Sequence, residues 1–386
     1  MGKLSLKGDF PVDKFQTIQT PFYYYDERLL RSTLQTVRAE SDKYGYKVHY
    51  AVKANANPDI LRLIASYGLG ADCVSGNEVQ AAIAAGFPAS SIVFAGVGKT
   101  DREISDALSS DIFCFNAESM PELEVINNLA ALQGKVARVA LRVNPNVDAH
   151  THKKITTGLN ENKFGFALDD LLPAARFAIQ ASHLQLIGIH FHIGSQITDL
   201  SAYEDLCVRI NELQDTLDAQ GVSVPNINVG GGLGINYEHP NHFPMAEFET
   251  YFRLFSQHLR LRPGQTLHCE PGRSIVAQCG SLITRVTYVK QGAQKRFVIV
   301  DAGMTDLIRP ALYDAYHRIE NITSNTGEEI YDVVGPICES SDVFLENAHL
   351  NVTSRGDLLA IRSAGAYGEI MASRYNLRNL PVGYLF

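Results

Sequence analysis

The sequence predicts a (β/α)8 TIM barrel followed by an antiparallel β domain, an α/β plus β chain, and three observations predict it. Eight short apolar runs alternate with helical stretches between Val48 and Arg273. Polar residues gather where those runs end, and barrels of this kind keep their chemistry at the C-terminal ends of their strands. After about residue 275 the pattern changes to short alternating strands with no long helices between them. The expected division is a barrel over 28–275, close to the roughly 250 residues typical of the fold, and a β domain over 276–386 completed by a strand from residues 1–27.

Composition narrows the partners. The 386 residues are 45% hydrophobic and 20% charged, as in ordinary folded proteins. A net charge of −8, with no concentrated basic stretch in the sequence, argues against a nucleic-acid partner. A small molecule is the expected partner. No segment approaches the ~18 uninterrupted apolar residues of a membrane span, and MGKLSLKGDF lacks the apolar run of a signal peptide. The 6 cysteines have no CxxC spacing, so reduced thiols and a cytoplasmic location are expected.

Taken in order, TPFYYYDERLL reads as a strand running into a helix. The first barrel run, VHYAVKA, closes on Lys53, directly before Asn55, Asn57 and Pro58. GADCVS carries Asp72, and the helical NEVQAAIAAG ends on Gly86 as a helix C-terminus should. IVFAG and IFCFN follow, the latter ending on Asn116. In RVALRVNP, Val139, Leu141 and Val143 oppose Ala140, Arg142 and Asn144. In LIGIHFHIGS, Ile187, Ile189, Phe191 and Ile193 oppose Gly188, His190 and His192. One face is apolar for the surrounding helices and the other small or polar for the interior. DLLPAARFAIQAS is an intervening helix, and NINVGGG and TLHCEPGR are the last two strands. SLITRVTYVKQ, KRFVIVDAG, YDVVGP and GDLLAIRSAG build the β domain.

The chemistry is read from the rim. Gly230, Gly231 and Gly232 end strand seven and Gly272 follows strand eight, where barrels commonly bind phosphate and where glycine lets backbone N–H groups approach an anion. With Lys53 after strand one and Glu270 after strand eight, the set suits pyridoxal 5'-phosphate. The lysine attaches the cofactor covalently, the glycines hold the phosphate and the glutamate faces the pyridine nitrogen. His192, on the interior face, would lie flat against the ring. His190 and His192 also form the H-x-H pair of metal-dependent barrel hydrolases. His49 and His268 lie deeper, however, and no aspartate closes strand eight, so no metal site is expected. His190 is expected to be a satisfied core histidine.

Seven motifs, YAVKAN, FHIGSQ, NVGGGLGINY, CEPGR, RPALYDAYH, GPICES and GAYGEIMASRYN, run in order across nearly the whole chain. They resemble the barrel-type pyridoxal-phosphate decarboxylases, and among them the branch that converts meso-diaminopimelate to L-lysine and carbon dioxide. The resemblance implies that Lys53 carries the cofactor, His192 stacks on it, Asp72 and Arg142 support the site and Glu270 binds the pyridine nitrogen. Ser195, Gly232, Gly272 and Arg273 would lie near the phosphate or the substrate carboxylate.

Arg309 and Tyr313, with Arg273 and Glu339, would grip the distal amino-acid end of the substrate, while Tyr367 approaches the cofactor. Cys338 would protonate the carbanion left by carbon dioxide. By the same resemblance Cys338 and Glu339 come from the partner subunit of a homodimer, and residues 148–166 form a mobile lid. A distal carboxylate needs a second guanidinium, which Arg309 supplies as a planar fork. Ser341 stands where the family pattern has a glycine before Asp342.

Other readings are a decarboxylase of another basic amino acid, or an inactive cofactor-binding homologue. The latter would be expected to have lost Lys53 or Cys338, and both are present.

Overall fold

The computed structural model describes residues 7–147 and 163–386. They divide into two units, one of Leu34–Gly234 and Glu247–Gly272, the other of the residues up to Thr33, Ile235–Ala246 and Arg273–Phe386. Strand β1 (Phe22–Tyr25) belongs to the second unit. The next eight are β2 (Lys47–Ala51), β3 (Gly70–Cys73), β4 (Ile92–Phe94), β5 (Cys114–Ala117), β6 (Ala137–Arg142), β7 (Leu184–His190), β8 (Asn226–Asn228) and β9 (Thr266–Cys269). All eight are parallel and close into the predicted barrel, with β2 paired to both β3 and β9.

The alternation of strand and helix is written in the residues that start each helix. Asn57, Ser75, Thr100 and Ser119 each accept a backbone N–H of the first helical turn, from Asp59, Glu78, Glu103 and Glu122. Each such cap contributes ~1 kcal/mol and stops the preceding segment from continuing as strand. Gly86, at φ +98°, ends the helix Gly76–Ala84 as expected.

The strands are shorter than the apolar runs. Ala51 N–H donates to the Pro271 carbonyl at 3.2 Å, and Asn55 N–H then returns to the Val52 carbonyl at 3.0 Å. Val52–Ala54 therefore form a single 3-10 turn, and Lys53 projects from this turn and not from a strand end. Likewise β7 stops at His190, two residues before His192.

Alternation also breaks inside β7. The register passes from Val139↔Leu186 to Ala140↔Gly188, which leaves Ile187 in a bulge. Ile187 joins Val93, Cys114 and Ala140 in one buried cluster, although simple parity sets it on the face opposite Ala140.

The second unit adds β10 (Gly280–Gln291), β11 (Arg296–Val300), β12 (Ile319–Asn321), β13 (Glu329–Val334), β14 (Val343–Leu350), β15 (Leu358–Ile361) and β16 (Val382–Leu385). Their order is β12-β15-β10-β11-β13-β14, and β1 pairs with β10 and β16. Most pairs are antiparallel as expected, but β11–β13 and β1–β16 are parallel. The chain between β11 and β13 is long enough for the crossover that parallel pairing requires. Phe15, Phe22, Tyr24, Ile283, Leu358 and Ala360 form a core here. Among the described residues no helix is long and apolar enough to cross a membrane.

Candidate active site

Glu270 is the hub of the barrel rim. It follows β9, and its backbone N–H donates to the Gly230 carbonyl at 2.7 Å. Its Oε1 accepts from Asn116 Nδ2 at 3.2 Å and from Asn228 Nδ2 at 2.6 Å, and its Oε2 accepts from His190 Nε2 at 2.9 Å. Burial works to raise its pKa, but His190, Lys53 and His49 more than reverse that, so Glu270 is held ionised below the usual carboxylate range.

His190 is thus a ligand of the central carboxylate and not merely the core residue expected, and its Nδ1 is buried without a partner among the described residues. The sequence alone does not show that Asn116, Asn228 and His190 hold Glu270. A signal existed in the period of two that sets His190 with His192 and Asn228 with Gly230.

Lys53 and Asp72 come from neighbouring segments, since Ala51 is the register partner of Asp72. Lys53 Nζ lies 3.3 Å from Asp72 Oδ2; the lysine side chain is 36% exposed and the carboxylate 1%. Burial first, and the charge of Glu270 second, raise the Asp72 pKa, while Lys53 opposes them. Asp72 Oδ1 is buried without a partner among the described residues.

His192 Nδ1 accepts from Gly231 N–H at 3.2 Å. Burial, followed by the positive charges of Lys53 and Arg142, pushes His192 well below the usual imidazole range, so the ring is neutral. Arg142 Nη1 donates to Glu118 Oε1 at 2.9 Å, and its guanidinium lies 4.6 Å from the Phe164 ring centroid. Of the expected lid, 148–162 lie outside the described residues.

The loop after β7 runs beside the loop after β8. Ile197 N–H donates to the Gly232 carbonyl at 2.9 Å, and Gly234 N–H donates to the Ile197 carbonyl at 2.8 Å. Gly232 has φ +106°, and a Cβ there would sit 2.6 Å from the Gly194 carbonyl, next in the chain to Ser195. A Cβ on Gly231 would overlap the Glu270 carbonyl oxygen. Gly230 belongs to the same tight turn, and Gly272 packs against the Cβ atoms of Ala51 and Ala54.

A primary amine, an orphaned buried carboxylate oxygen beside it, an ionised carboxylate and a glycine cradle fit pyridoxal phosphate. Lys53 would hold it covalently, Glu270 would face the ring nitrogen and the glycines would hold the phosphate.

The second unit assembles a separate group. Arg273 opens the helix Arg273–Val276 and donates from Nη1 to the Tyr237 hydroxyl oxygen at 2.7 Å; its guanidinium lies 4.9 Å from the Tyr367 ring centroid. Arg309 opens the helix Arg309–Tyr313 and donates from Nη1 to the same oxygen at 3.0 Å and to His317 Nε2 at 2.9 Å. Tyr313 is half-buried at the end of that helix, and Tyr367 takes a left-handed φ of 56°. Tyr237 lies within the NVGGGLGINY motif, and the sequence alone assigns it no role.

Cys338 and Glu339 are not brought to this group by their own hydrogen bonds. Asp342 closes their loop by accepting from Ile337 N–H and Met304 N–H, each at 2.6 Å, with Ser341 in place beside it. Cys338 N–H donates to Asn376 Oδ1 at 3.2 Å, and the Tyr375 hydroxyl donates to Glu339. Both side chains are exposed.

A closed parallel barrel with this rim is the frame of a pyridoxal-phosphate enzyme. Residues 29–277 match the model of the pyridoxal-dependent decarboxylase family, pyridoxal binding domain, and the chain belongs to that family, with pyridoxal phosphate as its cofactor.

Within the family its similarity is to diaminopimelate decarboxylases. The one from Bacteroides thetaiotaomicron is 62% identical over 380 residues, 98% of each chain. That of Neisseria meningitidis serogroup B is 46% identical over 361 residues, 93% of this chain and 86% of the other. The crystal structure of the Helicobacter pylori diaminopimelate decarboxylase complexed with L-lysine matches with a TM-score of 0.92 and 42% identity, covering 97% of this chain and 93% of that one.

Proposed function

We propose that this carboxy-lyase decarboxylates meso-2,6-diaminopimelate to L-lysine and carbon dioxide, the last step of lysine biosynthesis, as a cytoplasmic homodimer with shared active sites. The observation that carries the substrate reading is the pair of guanidinia, Arg273 and Arg309, held on one oxygen of Tyr237. A diamine precursor offers no distal carboxylate to such a pair, whereas diaminopimelate does.

Bound pyridoxal phosphate supplies an electron sink for the bonding pair released when the substrate's α-carboxylate leaves. The chain's own residues do the rest. Glu270, ionised and held by three side chains, would keep a proton on the ring nitrogen. His192 would offer a neutral flat face, and Ser195 with Gly230, Gly231, Gly232 and Gly272 would hold the phosphate. Arg309 and Arg273 hold the distal carboxylate, Glu339 takes the distal ammonium with Tyr313 and Tyr367 beside the ligand, and Cys338 Sγ–H delivers a proton to the α-carbon once carbon dioxide has gone.

Sharing across a dimer is supported by the exposure of Cys338 and Glu339 and by partners, Asn376 and Tyr375, that lie outside the arginine group. Reduced thiols at all six cysteines suit a cytoplasmic setting. Mixing inactive Lys53→Ala and Cys338→Ala subunits tests the assembly. One competent site per mixed dimer restores part of the activity, and no recovery in demonstrably mixed dimers means that each chain builds its own site.

A further inference from the structure

We propose that Tyr237 is a positioning residue that sets Arg273 and Arg309 as one carboxylate-binding fork, and thereby governs the preference for ligands with a distal carboxylate. This rests on the reading of the two arginines as carboxylate ligands.

The geometry is specific. One hydroxyl oxygen accepts an Nη1–H from each guanidinium, at 2.7 and 3.0 Å. The second Nη1–H of Arg309 goes to His317 Nε2 at 2.9 Å, and His317 Nδ1 donates to the Arg362 carbonyl at 2.8 Å, which leaves Nε2 as the acceptor. Arg309 is thereby fixed in rotation. Its guanidinium lies 5.1 Å from the Tyr237 ring centroid, and the His317 ring meets the same ring edge-on at 5.2 Å.

Two guanidinia held this close repel, and the acceptor oxygen they share offsets part of that repulsion. Burial pushes the Tyr237 phenol up, but the two guanidinia together outweigh it and draw it below the ordinary phenol range. The tyrosine therefore orients the fork and relieves its repulsion.

The test compares binding of L-lysine, which keeps the distal carboxylate, with 1,5-diaminopentane, which lacks it, to the pyridoxal-phosphate-loaded enzyme by calorimetry. Tyr237→Phe removes only the oxygen. We expect L-lysine binding to weaken about tenfold, diaminopentane binding to hold, and KM for diaminopimelate to rise with little change in kcat. Equal weakening of both ligands, or a preserved preference for L-lysine, overturns the proposal.

Arg309→Ala is the control. If it erases the preference while Tyr237→Phe does not, the arginine reading stands and the role of Tyr237 falls; if it leaves the preference intact, both fall. Arg309→Lys keeps the charge without the planar fork and does not depend on Tyr237→Phe folding. Its preference should drop as well, and full retention overturns the proposal.

Discussion

Replacing Glu270 with glutamine converts the hub of the rim into a neutral amide of nearly the same shape. Oε1 already receives two N–H groups, from Asn116 and Asn228, so the amide oxygen must take that place and the amide NH2 must face His190. His190 would then have to accept at Nε2 and carry its proton on Nδ1, which is buried without a partner among the described residues. One buried unsatisfied N–H costs ~1–3 kcal/mol, and the folded state should lose about that much stability. The reverse amide orientation is worse, because it sets an NH2 against two donors.

Catalysis loses more. On the proposed role, the negative charge that Glu270 would set against the ring nitrogen disappears, a preorganised electrostatic loss of about 10²–10³ in kcat. Because Glu270 is also one of the groups that raise the Asp72 pKa, Asp72 should titrate lower in the variant. The assay is carbon dioxide release at saturating diaminopimelate and pyridoxal phosphate, beside urea unfolding. A kcat within about threefold of the native value would refute the assignment of Glu270. Lost activity with unchanged stability would refute the three-donor account of how it is held.

Two further outcomes follow from single positions. Burial pushes the Asp306 carboxyl up to about 6. Between its unfolded pKa of ~3.9 and that value the folded state binds more protons than the unfolded one, so this group's contribution to stability falls as pH rises through the window. Asp306→Asn keeps an acceptor for Gly303 N–H and should flatten the dependence of Tm on pH over that range, gaining up to ~2–3 kcal/mol relative to the native chain at pH 7. Parallel Tm profiles for the two proteins contradict this. Gly231→Ala drives a Cβ into the Glu270 carbonyl, a clash costing ~1–3 kcal/mol, and should weaken pyridoxal-phosphate binding at least tenfold by absorbance titration. Native cofactor affinity in that variant contradicts the cradle.

The eight barrel strands were legible because short apolar runs recur between helical stretches, each with one apolar face and one small or polar face. The strand ends were less legible, since long-range hydrogen bonds decide them. After the Ala51 N–H meets the Pro271 carbonyl, the bond from Asn55 N–H back to the Val52 carbonyl turns Lys53 out of the ladder, and the bulge at Ile187 reverses parity for one residue. Glu270 was recognisable at the rim, whereas its donors Asn116, His190 and Asn228 come from three other strands, and the period of two that puts His190 and Asn228 on the interior face does not say which side chain they meet. Tyr237 escaped for a related reason. It sits in Ile235–Ala246, a stretch that interrupts the barrel sequence but belongs to the β unit, and its arginine partners are 36 and 72 residues away.

The central claim is the substrate, and its most direct test is the release of lysine and carbon dioxide from meso-diaminopimelate by the pyridoxal-phosphate-loaded protein, run beside ornithine, lysine and arginine. Turnover of diaminopimelate alone is expected. Release of carbon dioxide from ornithine, lysine or arginine with none from diaminopimelate would contradict the reading of Arg273 and Arg309, and silence on all four would contradict the assignment of a working decarboxylase.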